Sequence, residues 1–278
     1  MYNFTIKHLE RGRNCVFIRS RCAIPFGRNE AMVNELAFMA AKLKVSRNLS
    51  ASEGIGTLSE KHIHKVLKLY FEPREEFHEA QYLGSIADVK NEQGIIEIQT
   101  RAFDRLLPKL EKFLPELPVT VVYPLVINKK IVWLDPETGE FSDPRRSTRK
   151  GRLSDALPEL SKLASIIPHE RLTVKIVLLS VTEYNLLDGW DKSKKRGSTK
   201  LDKTPDEMLD IIELKSLGDY RRLIPDFDSD SFTAKDFNKK TALKGRRASF
   251  ALKFLLNLGF LEREKGEGRA YVYKMREE

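Results

Sequence analysis

In "NEAMVNELAFMAAKLK" (29–44), Met32, Leu36, Met39 and Leu43 recur at helical spacing and predict an amphipathic helix. Before it, 1–27 reads as short strands around "ERGRN"; after it, "SRNLSASEGIGT" (46–57) is Ser/Gly-rich and reads as a linker. A second helix begins at Thr57 or Ser59 as N-cap, turns Ile63, Val66, Leu67 and Tyr70 inward, and ends at "FEPREE". The period then changes from helical to alternating. Apolar alternation over 79–89 and 94–99, with "KNEQG" between, predicts a β-hairpin. Phe103, Leu106, Leu107, Leu110 and Phe113 restore helical spacing, with Pro108 as a possible kink. The apolar run "VTVVYPLVI" (119–127) predicts a buried strand, "IVWLDPETGEFSD" a hairpin turning at Pro136 to Gly139, "LSDALPELSKLASII" a helix, and "LTVKIVLLSV" another buried strand.

This alternation predicts an α/β fold, a mixed sheet flanked by helices. A further unit starts near 226. There "SFTAKDFNKKTA" predicts a short helix capped by Ser231 or Thr233, and "GRRASFALKFLLNLGFL" a second helix with Ala248, Leu252, Leu255 and Leu256 inward. "LEREKGEGRAYVYKM" then reads as two short strands turning at Gly266 to Gly268. The expected division is an N-terminal segment and linker (1–56), an α/β domain (57–190), a basic linker region (191–225) and a small C-terminal domain (226–278).

Composition narrows the partners. The chain has 278 residues, 32% charged and 41% hydrophobic, and no apolar run near the length that crosses a bilayer. No secretory leader is legible in "MYNFTIKHLERGRN", and Cys15 and Cys22 lack the companions of a zinc site, so a reduced, cytoplasmic setting without membrane contact is expected. The net charge is +9, and residues 235–278 hold twelve Lys/Arg against six Asp/Glu. "DPRRSTRKGR" (143–152), with Arg145 and Arg146, and "DKSKKRGSTK" (191–200), with Lys194, Lys195 and Arg196, are further basic clusters. Three such clusters point to a polyanion, nucleic acid above all.

Candidate chemistry lies in "GSIADVKNEQGIIEIQT" (84–100). Period-two alternation puts Glu97 and Gln99 on one strand face, and the hairpin brings Asp88 alongside. Two carboxylates at a sheet edge can hold a hard divalent cation such as Mg²⁺ or Mn²⁺, which activates water and polarises a phosphodiester. Glu60 and His64, one turn apart on the preceding helix, point to one place, and Glu60 offers a third carboxylate.

The run of elements "SEKHIHKVLKLYF", "SIADVK", "IIEIQT", "FDRLLPKLEKFL" and "VTVVYPL" resembles the PD-(D/E)xK nuclease superfamily over about residues 57 to 127, in particular its Holliday-junction-resolvase and restriction-enzyme-like branches. The resemblance implies a restriction-endonuclease-like αβββαβ core, with Glu60, Asp88 and Glu97 as metal ligands and Mg²⁺-dependent DNA hydrolysis. Nucleases of this superfamily often act as dimers, so a homodimer is compatible with it. Gln99 stands where the superfamily usually carries Lys. The expectation is that Gln99 positions the attacking water by hydrogen bonding while Arg101, on the same face if the strand persists, supplies the charge. The alternative is a non-enzymatic DNA-binding regulator built on an inactivated nuclease fold. The segments "IIEIQT", "FLP", "VTVVYP" and "DPETGE" are also similar to an uncharacterised bacterial family, which offers no chemistry.

The C-terminal order of helix, helix and β-wing resembles a winged helix. That implies a DNA-reading second helix led by Lys244, Arg246, Arg247 and Ser249, followed by Lys253, with Arg269 from the wing. A winged helix used for protein contacts is the alternative there. No P-loop, dinucleotide-binding glycine motif or nucleophile elbow is present in the chain.

Overall fold

The computed structural model describes residues 33–50, 61–189, 198–266 and 270–276. The strands expected in 1–27 lie outside the described residues. The first described element is helix α1 (Glu35–Ser50), which runs into the segment expected to be linker. Its buried stripe differs from the expected one. Phe38, Ala41 and Val45 face inward, whereas Leu36, Met39 and Leu43 are 85%, 50% and 53% exposed.

Helix α2 (Lys61–Phe71) is followed by three strands, β1 (His78–Tyr82), β2 (Ser85–Asn91) and β3 (Gly94–Ile98). The expected first strand of the hairpin is thus itself a hairpin. Leu83 (φ 47°) and Gly84 (φ 71°) both take positive φ between β1 and β2, the backbone of the tight turn whose twist matches flanking strands. Helix α3 (Phe103–Phe113) crosses over to β4 (Val119–Leu134), which pairs in parallel with β3. The segment α2–β1–β2–β3–α3–β4 therefore has the order αβββαβ.

Strand β4 continues past a register shift between Val126 and Asn128, merging the expected buried strand with the start of the next hairpin. The chain returns beside it as β5 (Arg145–Arg146). The helix expected in "LSDALPELSKLASII" is only one α-turn, α4 (Leu157–Leu160), between 3₁₀ turns. Strand β6 (Leu172–Leu186) pairs in parallel with β4, and β7 (Thr199–Leu214) pairs antiparallel with β6. This last strand corrects the division expected from sequence: most of the supposed 191–225 linker beyond 198 belongs to the sheet. As an edge strand β7 carries charges and Pro205 at a register shift, features that discourage further pairing and also hide it from an apolar pattern.

The mixed sheet has seven strands in the order β1-β2-β3-β4-β6-β7, with β5 on β4. One face packs Val121, Val174 and Ile176 against Phe103, Leu106 and Leu110 of α3 and Leu157 and Leu160 of α4. The other packs Val122, Val177 and Leu179 against Phe38 of α1 and Ile63, Val66 and Leu67 of α2.

The C-terminal unit comprises β8 (Ser231–Thr233), α5 (Ala234–Thr241), α6 (Arg246–Asn257), β9 (Leu261–Lys265) and β10 (Tyr271–Met275), with a small sheet ordered β8-β10-β9. Thr233 caps α5 in a capping box with Asp236. A 3₁₀ segment, Leu217–Leu223, stands before it. Phe237, Ala251, Phe254 and Leu255 join the same apolar cluster as α3 and α4, so this unit shares a core with the sheet domain.

Candidate active site

Strands β2 and β3 pair in the register Val89↔Ile96 and Asn91↔Gly94, which brings Asp88 and Glu97 together at the open end of the hairpin. The backbone N–H of Asp88 donates to Glu97 Oε1 at 3.4 Å, and that of Ile98 donates to Asp88 Oδ2 at 2.7 Å. From α2, His64 Nε2 lies 3.1 Å from Asp88 Oδ2. From α3, Lys109 Nζ donates to Glu97 Oε2 at 2.7 Å. A cavity of about 750 Å³ opens over these groups between α2 and α3. Lys65, Lys68, Arg101, Arg105 and Lys109 line it with three carboxylates, Glu79, Asp88 and Glu97, so cations outnumber anions. Lys68 is held by Glu79 in an ion pair.

The two central acids are driven apart. Glu97 is 2% exposed. Burial, reinforced by the charge of Asp88 and only partly countered by Lys109, pushes its pKa up to about 7. Asp88 feels a strong burial penalty too, but the His64 hydrogen bond and charge, the Ile98 N–H and Lys109 outweigh it and hold the carboxyl below its ordinary value. Opposed shifts in adjacent acids in a cleft make the pair a candidate functional site.

The cation beside them is not the one expected. Strand β3 ends at Ile98, and the chain turns through Ala102 (φ 57°) into α3. Gln99 extends the backbone pairing by one bond, its N–H donating to the Val122 carbonyl at 2.9 Å. Its side-chain amide instead donates to the carbonyls of Arg101 and Ala102, holding the turn. The expectation that Gln99 aims this donor at water, with Arg101 behind it on a persisting strand, is corrected: the strand stops first. Both line the cavity, but the ammonium beside Glu97 is that of Lys109. A crossover helix that starts at a strand's end runs back over it, so a Lys in its first two turns can reach the strand's last side chains. That is the signal in sequence by which Lys109 could have been found.

Glu60, Lys194, Lys195, Arg196 and Arg269 lie outside the described residues. Among the described residues, no group of three or more His, Cys, Asp or Glu is arranged to hold a metal ion. Lys244, Arg246 and Lys253 are exposed at the leading end and outer face of α6, and Arg145 and Arg146 are exposed on β5. Arg247 instead turns back to the sheet domain, with its guanidinium 3.6 Å from Asp155 Oδ1. Among the described residues no helix is long and apolar enough to cross a membrane.

Fold and site define a mixed-sheet α/β protein with two electrostatically coupled acids in a basic cavity at the end of its β2–β3 hairpin. Residues 61–215 match the model of a domain-of-unknown-function family, DUF8091, and the chain belongs to it. The matched span begins with α2 and ends just after β7. The chain is also 29% identical over 221 residues to an uncharacterized protein of Treponema pallidum (strain Nichols), a stretch covering 79% of this chain and 87% of that one. No solved structure matches the chain.

Proposed function

We propose that the chain is a DNA-binding, metal-dependent endonuclease of the PD-(D/E)xK type, with hydrolysis centred on Asp88 and Glu97. The observation that carries this reading is the convergence of those two acids with Lys109 in a cavity of about 750 Å³ whose cations outnumber its anions. A phosphodiester fits such a surplus. The acids also suit a divalent ion. They are hard oxygen donors, and the mutual repulsion that helps raise Glu97 is what a cation would relieve. Asp88 and Glu97 would hold Mg²⁺ or Mn²⁺, which supplies charge to the phosphodiester and lowers the pKa of a bound water.

The chain's own groups do the rest. His64 fixes the Asp88 carboxylate by its hydrogen bond. Lys109, anchored by Glu97, presents ammonium hydrogens to the phosphoryl oxygens as negative charge grows on them. In the reaction, water oxygen bonds to phosphorus, the phosphorus–oxygen bond to the leaving strand breaks, and that oxygen takes up a proton. The leading end of α6, with Lys244 and Arg246 exposed, serves as a duplex contact by the winged-helix reading.

A second reading, a DNA-binding protein that does not cleave, is favoured by one feature: both Glu97 and the Gln99 amide are already satisfied within the chain. Single-turnover assays on labelled duplex, junction and single-stranded DNA in Mg²⁺ and in Mn²⁺ separate the two. Wild type should cleave at least one substrate, and Asp88→Ala and Glu97→Ala should each abolish cleavage while remaining folded and bound. Their combined loss should be far less than the product of the two, since residues acting as a unit share one loss. Binding without cleavage under every condition would establish the second reading instead.

A further inference from the structure

Segment 143–152 carries Arg145, Arg146, Arg149, Lys150 and Arg152 against one acid, Asp143. A run of that composition is ordinarily a solvated loop. This one is fastened down. Arg145 and Arg146 pair with Ile131 and Lys130 as β5. The Ser147 N–H donates to the Lys129 carbonyl at 2.8 Å, and the Gly151 N–H to the Ile127 carbonyl at 2.9 Å. At Gly151 the approach is so close that a Cβ would stand 2.0 Å from the Val126 carbonyl oxygen, so only glycine fits.

The fastened segment and the irregular stretch of β4 enclose a second cavity of about 390 Å³. Five cations line it, Lys129 and Lys130 from β4 and Arg146, Arg149 and Lys150 from the segment, against the carboxylates of Asp206 and Glu207. Asp206 is already engaged by Thr182 Oγ1 at 2.8 and 3.0 Å, and Lys130 stands 3.9 Å from it. Arg146 and Lys150 are exposed and make no ion pair or side-chain hydrogen bond among the described residues. The segment is also tied to the C-terminal unit. Asp155 Oδ1 accepts from Arg149 at 3.3 Å and lies 3.6 Å from Arg247 of α6, and Arg152 donates to the Lys240 carbonyl. The cleft is therefore held beside the leading end of α6.

We propose that this cleft binds the phosphate backbone of nucleic acid, as a site separate from the carboxylate cavity and continuous with the leading end of α6. The proposal rests on the nucleic-acid part of the reading above and is independent of hydrolysis. Cations spread from β4 across the segment to α6 suit successive phosphates of a strand, whereas one small anion calls for donors converging on a point.

The test is anisotropy with labelled duplex and single-stranded DNA across a salt series, on the full chain in EDTA so that cleavage does not enter. Each phosphate contact contributes about 0.9 to the slope of log K against log salt on duplex. Arg146→Ala/Lys150→Ala, two exposed positions, should lower that slope by about 1.8. Lys112→Ala/Lys215→Ala removes equal charge at exposed positions that line neither cavity and should leave the slope nearly unchanged. If the two double variants behave alike while wild type binds with steep salt dependence, the cleft is not the site and the nucleic-acid reading survives. If wild type shows no salt-dependent binding to either DNA form, that reading and this site fall together. Binding that persists without cleavage in Mg²⁺ leaves the site standing and removes only hydrolysis.

Discussion

At the scale of single residues, the question is which side chain brings positive charge to Asp88 and Glu97. Gln99 has the spacing, but its amide is committed to the turn before α3; Lys109 has the contact, at 2.7 Å from Glu97. Losing one preorganised donor typically costs roughly a hundredfold to a thousandfold in rate. Lys109→Ala should fall in that range in single-turnover cleavage, with DNA affinity little changed. Gln99→Ala should cut thermal stability more than rate. Adding Gln99→Lys to Lys109→Ala should recover part of the rate, because an ammonium from the strand's end reaches the same cavity. A Lys109→Ala variant that cleaves as fast as wild type would return the proposed charge-donating role to another residue. The acids were legible in sequence because strand alternation and a short hairpin place them without help from the rest of the chain. Lys109 was not, because its position depends on the course of a helix across a sheet.

The coupled acids also predict how stability follows pH. Glu97 has a folded pKa of about 7 against an ordinary 4.5, so between those values the folded state holds a proton that the unfolded state has lost. Its contribution is complete below about 4.5 and disappears as pH rises through 7. The shift corresponds to a penalty on the order of 3 kcal/mol for the metal-free protein. Asp88 has the opposite sign, since its folded pKa is depressed: its contribution is present above the ordinary value near 3.8 and is lost as pH falls below it. Urea unfolding in EDTA should therefore show stability declining from pH 5 to pH 7.5, and Glu97→Gln should flatten that decline. Mg²⁺ should stabilise wild type most at the upper end, where Glu97 is ionised. An equally steep decline in Glu97→Gln would remove Glu97 as its cause.

At the scale of elements, α1 shows why periodicity alone underdetermines a buried face. Two stripes share the helix, Leu36–Met39–Leu43 and Phe38–Ala41–Val45, and tertiary packing chose the second. Phe38 lies edge-on to Tyr70 of α2 at 6.1 Å, and Asn34 takes the Tyr70 hydroxyl with its N–H at 3.2 Å. Phe38→Ala should cost about 3–5 kcal/mol, as truncation of a core aromatic does. Leu36→Ala should stay within about 0.5 kcal/mol, as surface changes do. Equal losses in urea titrations would mean that both stripes are covered. The β1–β2 turn was hidden for a related reason. Leu83 occupies a positive-φ position where Asn, Asp or Gly is the usual signal, so Gly84 alone marked the break. Strand β7 was hidden by its charges, which an edge strand tolerates and a buried one does not.

At the scale of the molecule, the two modules expected from sequence share one apolar core. Helix α6 buries Ala248, Ala251, Leu252, Phe254 and Leu255, and Tyr220 meets Phe254 edge-on at 6.4 Å. Those side chains are contiguous with Leu157, Leu160 and the α3 face of the sheet, and the Arg247–Asp155 and Arg152–Lys240 contacts close the border. Sequence could show that 226–278 carries its own apolar faces, but not that those faces are completed by another part of the chain. The consequence is mechanical coupling: α6 cannot swing on a tether and keeps a fixed distance from the carboxylate cavity. Trp133 on β4 can report this, with Trp190→Phe as background so that fluorescence comes from the sheet alone. In that background Phe254→Ala should lower the unfolding free energy by about 3–5 kcal/mol. The same drop should appear in Trp133 fluorescence and in far-UV circular dichroism, as one coincident transition in urea. An independently folded C-terminal module gives a different result: an early transition seen by circular dichroism, with the Trp133 midpoint left where it was. That outcome would break the shared core and free α6 from any fixed relation to Asp88 and Glu97.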